Sequence, residues 1–279
     1  MLDTNRLKRS TSAVLIILIL TAVAVVGLGP IYYLIITSLK SRSEYLFNIF
    51  GLPQKITLEN FRRVVFEYNF PRMFVNSLLL TLCSVFIGTY LAALSAYAFG
   101  KMRFIGKNAF FNLIIPLMSI PPIVMVIPLF VLMTKMKMVN NFPAPILIYV
   151  GLIIPFSIYL ITSFMNSIPD TIIEAARIDG CSNMGIFHRI VIPLSVPALT
   201  TVIIVNGMWV WNELLIAFIF LQSEDKRTLM VGLTSLQGLY NVDIPLMMAG
   251  ATIVTIPLMI IYIISQRWFI RGLVQGAIK

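Results

Sequence analysis

Six apolar runs of about 22 to 25 residues, at 12–36, 76–99, 110–133, 143–165, 198–221 and 245–266, carry almost no charge and constrain this chain more than any other feature. About 20 apolar residues in helix span the roughly 30 Å of a bilayer's hydrocarbon core, and inside lipid each backbone N–H and C=O needs a partner within the segment. The expected fold is therefore all-α: a polytopic membrane protein with about six transmembrane helices, forming a single transmembrane domain over residues 1–279. Composition excludes the soluble alternative. With 59% hydrophobic and 11% charged residues, the chain falls far below the roughly one quarter of charged residues that a soluble surface needs.

Arg6, Lys8 and Arg9 precede the first run as they would in a secretory signal. That run far exceeds the 7 to 15 residues of a signal core and lacks a small-x-small cleavage site, so it reads as a retained span. Gly27, Gly29 and Pro30 predict a local kink within it. The net charge of +10 is spread over all the loops rather than gathered on one face, which favours lipid headgroups as its partner and excludes a nucleic-acid surface. Cys83 lies in an apolar run and Cys181 in a polar loop, so no disulfide is expected, and one histidine without a Cys/His cluster gives no metal site.

Gly88, Ala92, Ala93, Ser95 and Ala96 make the second run a close-packing helix. Pro116, Pro121, Pro122 and Pro128 interrupt the third; backbone freed by proline is tolerated in a membrane where it borders protein or a wet cavity, which places this span beside a pathway. Between the first two runs, Thr57 is expected to cap a helix with Asn60 at its third position.

The polar loop at 167–197 is too structured to be a mere connection. Pro169 ends the preceding helix, Thr171 is expected to cap the next, and Glu174 to complete a capping box. Gly180 should close that helix in the left-handed conformation that glycine adopts without steric cost. Met184, Phe187, Ile190 and Val191 then recur at helical spacing.

The order Glu174-Ala175-Ala176, Asp179-Gly180, Phe187, Ile190, Pro193, Pro197 resembles the cytoplasmic coupling loop, or EAA loop, of ABC importer permeases. Cys181 departs from it, standing where the family more often has alanine. Thr57-Leu58-Glu59-Asn60-Phe61, Trp211-Asn212-Glu213 and the tail Gly272-Leu273-Val274-Gln275-Gly276 resemble the carbohydrate-uptake branch, in particular the second, six-span membrane subunit of maltose-type transporters. The resemblance implies an ATP-driven sugar or oligosaccharide importer in a bacterial or archaeal cytoplasmic membrane. It implies as partners a second permease subunit, two ATPase subunits and an extracytoplasmic solute-binding protein. It also makes Glu174, Ala175, Ala176, Asp179, Gly180 and Pro193 the residues that couple to the ATPase.

The chain has no phosphate-binding Gly-x-x-x-x-Gly-Lys-Ser/Thr loop, since Gly100-Lys101 is followed by Met102 and Gly106-Lys107 by Asn108. No catalytic residue and no cofactor is expected in it; ATP and Mg would be bound by the partner ATPase. An even number of spans puts both termini on one side. With that side cytoplasmic, the inner basic residues crowd close to span ends, which favours N-in and C-in.

Within the fifth run, Glu213 lies roughly 22 Å into a core of about 30 Å, and an intramembrane carboxylate is a candidate functional group. Asn206, Trp209 and Glu213 share one face of a continuous helix and are the candidates for a substrate pathway, since an aromatic face flanked by amide and carboxylate suits a sugar. Packing tryptophans beside a snorkelling Glu213 would fit the same residues. The competing function is an ion-gradient-driven secondary transporter.

Overall fold

The computed structural model describes residues 2–237 and 242–277, and among them every regular element is helical. The side chains of Arg6, Lys8, Arg9, Arg267 and Arg271, and the whole of Lys279, lie outside the described residues. Two compact units emerge from the packing, Met1–Asn69 with Leu233–Thr255 and Phe70–Gly232 with Ile256–Lys279.

The first unit opens with α1 (Leu2–Ser38), which runs unbroken through Pro30, and continues through α2 (Arg42–Phe47) and α3 (Glu59–Phe66). The last carbonyls of a helix have no partner within it, and here a side chain supplies one. The Asn60 amide, buried, donates to the carbonyls of Ser38 (2.9 Å) and Lys40 (2.8 Å). The expected cap of α3 is displaced by one residue: Leu58 holds the cap position, and Thr57 Oγ1 accepts from Glu59 N–H at 3.2 Å. Asn60 therefore closes the end of α1 rather than the start of its own helix. Arg63 reaches Asp243 at 3.0 Å, and Asp243 in turn accepts from the Leu246 N–H at the start of the final helix.

The second unit contains α4 (Phe70–Lys101), α5 (Lys107–Leu117), α6 (Pro122–Lys135) and α7 (Pro143–Met165). The polar loop follows as α8 (Asp170–Ile178), α9 (Asn183–Ile186), a π turn (Phe187–Val191) and α10 (Ile192–Leu194). Then come α11 (Val196–Asn212), α12 (Leu215–Phe220) and α13 (Leu229–Ser235), the last of which enters the first unit, and α14 (Ile244–Ala277), which is shared between the two.

The packing centre of the second unit is α4 against α7, with α11 on both. The small residues of α4 make this approach possible: Ala92, Ala93 and Ala96 are buried, and a Cβ on Gly88 would lie 2.8 Å from Ile153 Cγ1. Serine and asparagine fasten the third helix, with Asn206 Nδ2 donating to Ser157 Oγ at 2.8 Å in the interior.

Two expected spans are not single helices. The run at 110–133 is broken between α5 and α6, which meet at 101°. Pro121 and Pro122 supply no N–H there, and Pro116 sits one turn before the bend. The run at 198–221 is broken at Glu213 and Leu214, between α11 and α12. Among the described residues, four helical segments are long and apolar enough to cross a bilayer alone: Leu15–Ser38, α4, α7 and Ile244–Gln266. The number reaches six if the bent pair α5 with α6, and the pair formed by Asn183–Leu194 with α11, each count as one crossing.

Gly88→Val should destabilise the purified protein by about 1–3 kcal/mol, the usual cost of overpacking, seen as a lowered Tm in detergent. Gly27→Ala, whose Cβ would meet nothing within 4 Å, should leave the Tm unchanged.

Candidate functional site

The polar loop is rooted in the helical core. Ile173 and Ala176 of α8, with Ile186, Phe187 and Val191, belong to one buried cluster that also takes in Ala96 and Tyr97 of α4, Ile161 and Met165 of α7, and Val202 of α11. The opposite face of α8 is open, with Glu174, Ala175 and Ile178 exposed and Ile178 at 87%. Three- and four-residue spacing puts these side chains on a common stripe.

The start of α8 differs from the expected capping box. Pro169 occupies the cap position with no side-chain cap bond, Thr171 is already inside the helix, and Glu174 is exposed in it. Lys101 holds this end instead. Its side chain is 3% exposed and donates to the Ile168 carbonyl (2.5 Å) and to Asp170 Oδ1 (2.7 Å). The Lys101 hydrogen bond, then its charge and those of Arg103 and Lys107, hold the Asp170 carboxyl below the ordinary carboxylate range. Asp170 thereby stays anionic in the first turn, where the helix dipole favours it.

The far end of α8 follows expectation. Gly180 has φ +81°, Cys181 N–H donates to Ala176 O (2.9 Å) and Gly180 N–H to Arg177 O (3.1 Å), which is the Schellman closure. No atom lies within 4 Å of a Cβ built on Gly180, so only backbone conformation selects glycine here.

Beyond it, Ser182 Oγ accepts from Gly185 N–H and caps α9. The π turn ends just before Ile192 and Pro193. Proline has no N–H for the Arg189 carbonyl four residues back, and its ring crowds that carbonyl, so the widened turn has a local cause. Fully buried Phe187 packs on Tyr97 (5.5 Å between ring centres) and Tyr90 (6.3 Å) of α4. His188 is exposed and bridges the Met184 carbonyl (2.9 Å) and the Tyr90 hydroxyl (3.2 Å).

The three pathway candidates are separated. Asn206 is buried and spent on Ser157. Trp209 is 38% exposed, edge-on to Tyr149, and lines a cavity of about 480 Å³ with residues that include Met118 and Ile120 at the α5–α6 break, Met125 of α6, and Leu152 and Pro155 of α7. Glu213 is not on a continuous helix face, because α11 ends at Asn212. Its carboxylate accepts from the N–H groups of Leu215 (2.9 Å), Ile216 (3.0 Å) and Ala217 (3.3 Å) and from the Tyr149 hydroxyl (2.5 Å). It neither faces the cavity nor snorkels; it caps α12.

Tyr149, Ser157, Lys101 and Ser182 carry this arrangement alongside the expected Phe187 and are not singled out by pattern. Tyr149 and Ser157 had a usable signal, a hydroxyl in an apolar run that needs a partner. Cys83 and Cys181 are free thiols, and among the described residues no three of His, Cys, Asp and Glu gather as metal ligands.

Replacing Glu213 with Ala should cost about 1–2 kcal/mol, the scale of a lost helix cap, read as a lowered Tm in detergent. Tyr149→Phe, which removes a single donor and leaves the cap, should cost less. An unchanged Tm in Glu213→Ala would contradict the capping role.

Residues 84–275 match the family model described as binding-protein-dependent transport system inner membrane component. A putative ABC transporter permease from a Caldicellulosiruptor species is 39% identical over 90% of this chain and 91% of its own. The arabinooligosaccharides transport system permease of Halalkalibacterium halodurans is 32% identical over 98% of this chain and 100% of its own. Among solved structures, that of a bacterial ABC transporter involved in the import of the acidic polysaccharide alginate aligns with a TM-score of 0.83 at 25% identity, covering 92% of this chain and 96% of that one. The all-α architecture of apolar helices, the loop geometry and these matches place the chain in the binding-protein-dependent transport system inner membrane component family, the membrane-spanning permease subunits of ABC transporters.

Proposed function

We propose that this permease subunit serves an importer of the carbohydrate class and carries a sugar or oligosaccharide across the cytoplasmic membrane, with both of its termini in the cytoplasm. Its relatives support the substrate class: one is named for arabinooligosaccharides and the structural neighbour for alginate import. In this reading the subunit pairs with a second permease, rests on two ATPase subunits and receives substrate from an extracytoplasmic binding protein. ATP and Mg are held by the ATPases, and this chain contributes no catalytic group.

The observation that carries the mechanism is the two-faced helix α8. One face lies in the same buried cluster as α4, α7 and α11, and the other offers Glu174, Ala175 and Ile178 outward. A helix seated in an ATPase groove by its open face would carry the attached ends of those three helices with it as a nearly rigid body. Ala176 belongs to the rooted face. Asp179 and Gly180 set the exit from α8, and Pro193 sets the turn that returns the chain to α11. Docking of the loaded binding protein and ATP-driven closure of the ATPase pair would turn the spans outward-facing, and hydrolysis would reset them.

For the pathway, Trp209 keeps its candidacy because its ring borders the cavity and an apolar sugar face stacks on an aromatic surface. Asn206 and Glu213 act indirectly, by fixing α11 to α7 and by holding the break above Trp209.

The reconstituted complex should take up sugar when given ATP and fail to respond to an imposed ion gradient; the reverse pattern would assign it to secondary transport. Gly180→Val, a β-branched residue at φ +81°, should insert normally yet hydrolyse ATP without transport. Normal transport by that variant would refute the role given to the Gly180 turn.

A further inference from the structure

The segment after α1 displays large apolar side chains to the outside. Leu46 is 68% exposed, Phe47 93%, Phe50 77% and Leu52 67%. These residues occupy the tip of the connection between α1 and α3, within the first unit, and the transport mechanism makes no use of them.

Several polar groups at the same tip are bonded within it. Lys40, fully buried, donates from Nζ to the carbonyls of Asn48 (2.7 Å) and Ile49 (3.1 Å). Asn48 Oδ1 accepts from Gly51 N–H (2.9 Å) and Asn48 Nδ2 donates to the Leu52 carbonyl (2.9 Å), and Glu44 Oε1 accepts from Gln54 N–H (2.6 Å). The carbonyls of Asn48, Ile49 and Leu52 and the N–H groups of Gly51 and Gln54 thus have partners inside the segment, which lowers the cost of placing its phenylalanine and leucine side chains in a medium poor in hydrogen-bond partners.

The height of the loop agrees. Tyr45 exchanges a hydroxyl bond with Tyr33 of α1 (2.9 Å), and the Phe50 ring packs on Tyr33 at 5.8 Å. Tyr33 lies five residues before the end of α1 at Ser38, or about 7 Å back along the helix axis at 1.5 Å per residue. The loop therefore folds back beside the last turns of α1, where Ile36 is buried while Tyr32 and Ile35 continue the exposed apolar surface that begins at Leu15. Helices that lie in a membrane interface sit about 5–10 Å into the boundary of headgroups and acyl chains, and aromatic residues concentrate at that level.

We propose that Leu46, Phe47, Phe50 and Leu52 form an interfacial anchor that dips into the lipid leaflet beside the end of α1. The occupant is lipid, because the patch is continuous with the bare apolar surface of α1 and lies back along that helix rather than beyond its end. Lys40 acts as the clasp, keeping the tip's carbonyls away from hydrocarbon. This inference rests on α1 being a membrane span and is independent of the transported substrate.

Spin labels at Phe47→Cys and Phe50→Cys, in a protein with Cys83 and Cys181 replaced by Ser and assembled with its partner subunits in a bilayer, test it. Both labels should be several-fold more accessible to oxygen, relative to a water-soluble nickel chelate, than a label at Glu59→Cys. Nickel-dominated accessibility at both sites would overturn the proposal. So would exclusion of both reagents, whether constant or only after the solute-binding protein is added, since either shows a protein partner on the patch. Phe47→Trp with the native cysteines in place is a second measurement: brominated lipid should quench its added fluorescence, and absence of quenching overturns the proposal equally.

Discussion

A backbone N–H or C=O without a partner costs several kcal/mol in hydrocarbon, and this cost governs how the chain is allowed to depart from straight helices. At the α5–α6 bend the loss is limited by tight turns, with Met118 N–H bonded to Ile115 O, Ser119 to Pro116 O and Ile120 to Leu117 O. At the α11–α12 break a side chain does the work, as Glu213 takes three successive amide groups and a tyrosine hydroxyl. The two breaks are answered by different chemistry. Turns suffice where prolines have already removed the donors, and a carboxylate is needed where a new helix begins with its donors exposed.

The same economy makes α8 mechanically useful. A short helix on its own is marginal in water, and this one draws its stability from tertiary packing, through Ile173 and Ala176 on one side and the Lys101 contacts at its start. Having its buried side inside the core of α4, α7 and α11, it has little freedom to slide over them. Phe187 extends that attachment past the Gly180 turn by packing between Tyr90 and Tyr97. A push on the exposed stripe is thus met by several helices together.

The apolar runs were legible because their length and charge depletion follow directly from bilayer thickness, and α7 spans the very residues, 143–165, that hydropathy marks. Gly180 was legible because a left-handed residue at a helix end leaves few choices of amino acid. What pattern could not show were the partners supplied by distant chain. The Thr171 and Glu174 capping box fits by spacing, yet Lys101, 69 residues from Asp170, holds that end. Asn206, Trp209 and Glu213 align on an ideal helix, but the run is not one helix, and the break is stabilised by Tyr149, 64 residues away from Glu213. Hydropathy averages over a broken span as easily as over a straight one, so neither the 101° bend nor the α11–α12 junction left a trace in it.

The Arg63–Asp243 pair has a consequence for how the protein is made. Its partners are 180 residues apart in sequence and lie in one compact unit that the chain leaves at Asn69 and re-enters at Leu233. At the usual 5–20 residues per second of synthesis, roughly 10–40 s separate the emergence of the arginine from that of the aspartate. During that interval α1 to α3 must persist on their own contacts, the Asn60 and Lys40 clasps among them, while the whole second unit up to Gly232 is being threaded into the membrane. Completion of the first unit is thereby made a late event in biogenesis, gated by arrival of the final helix.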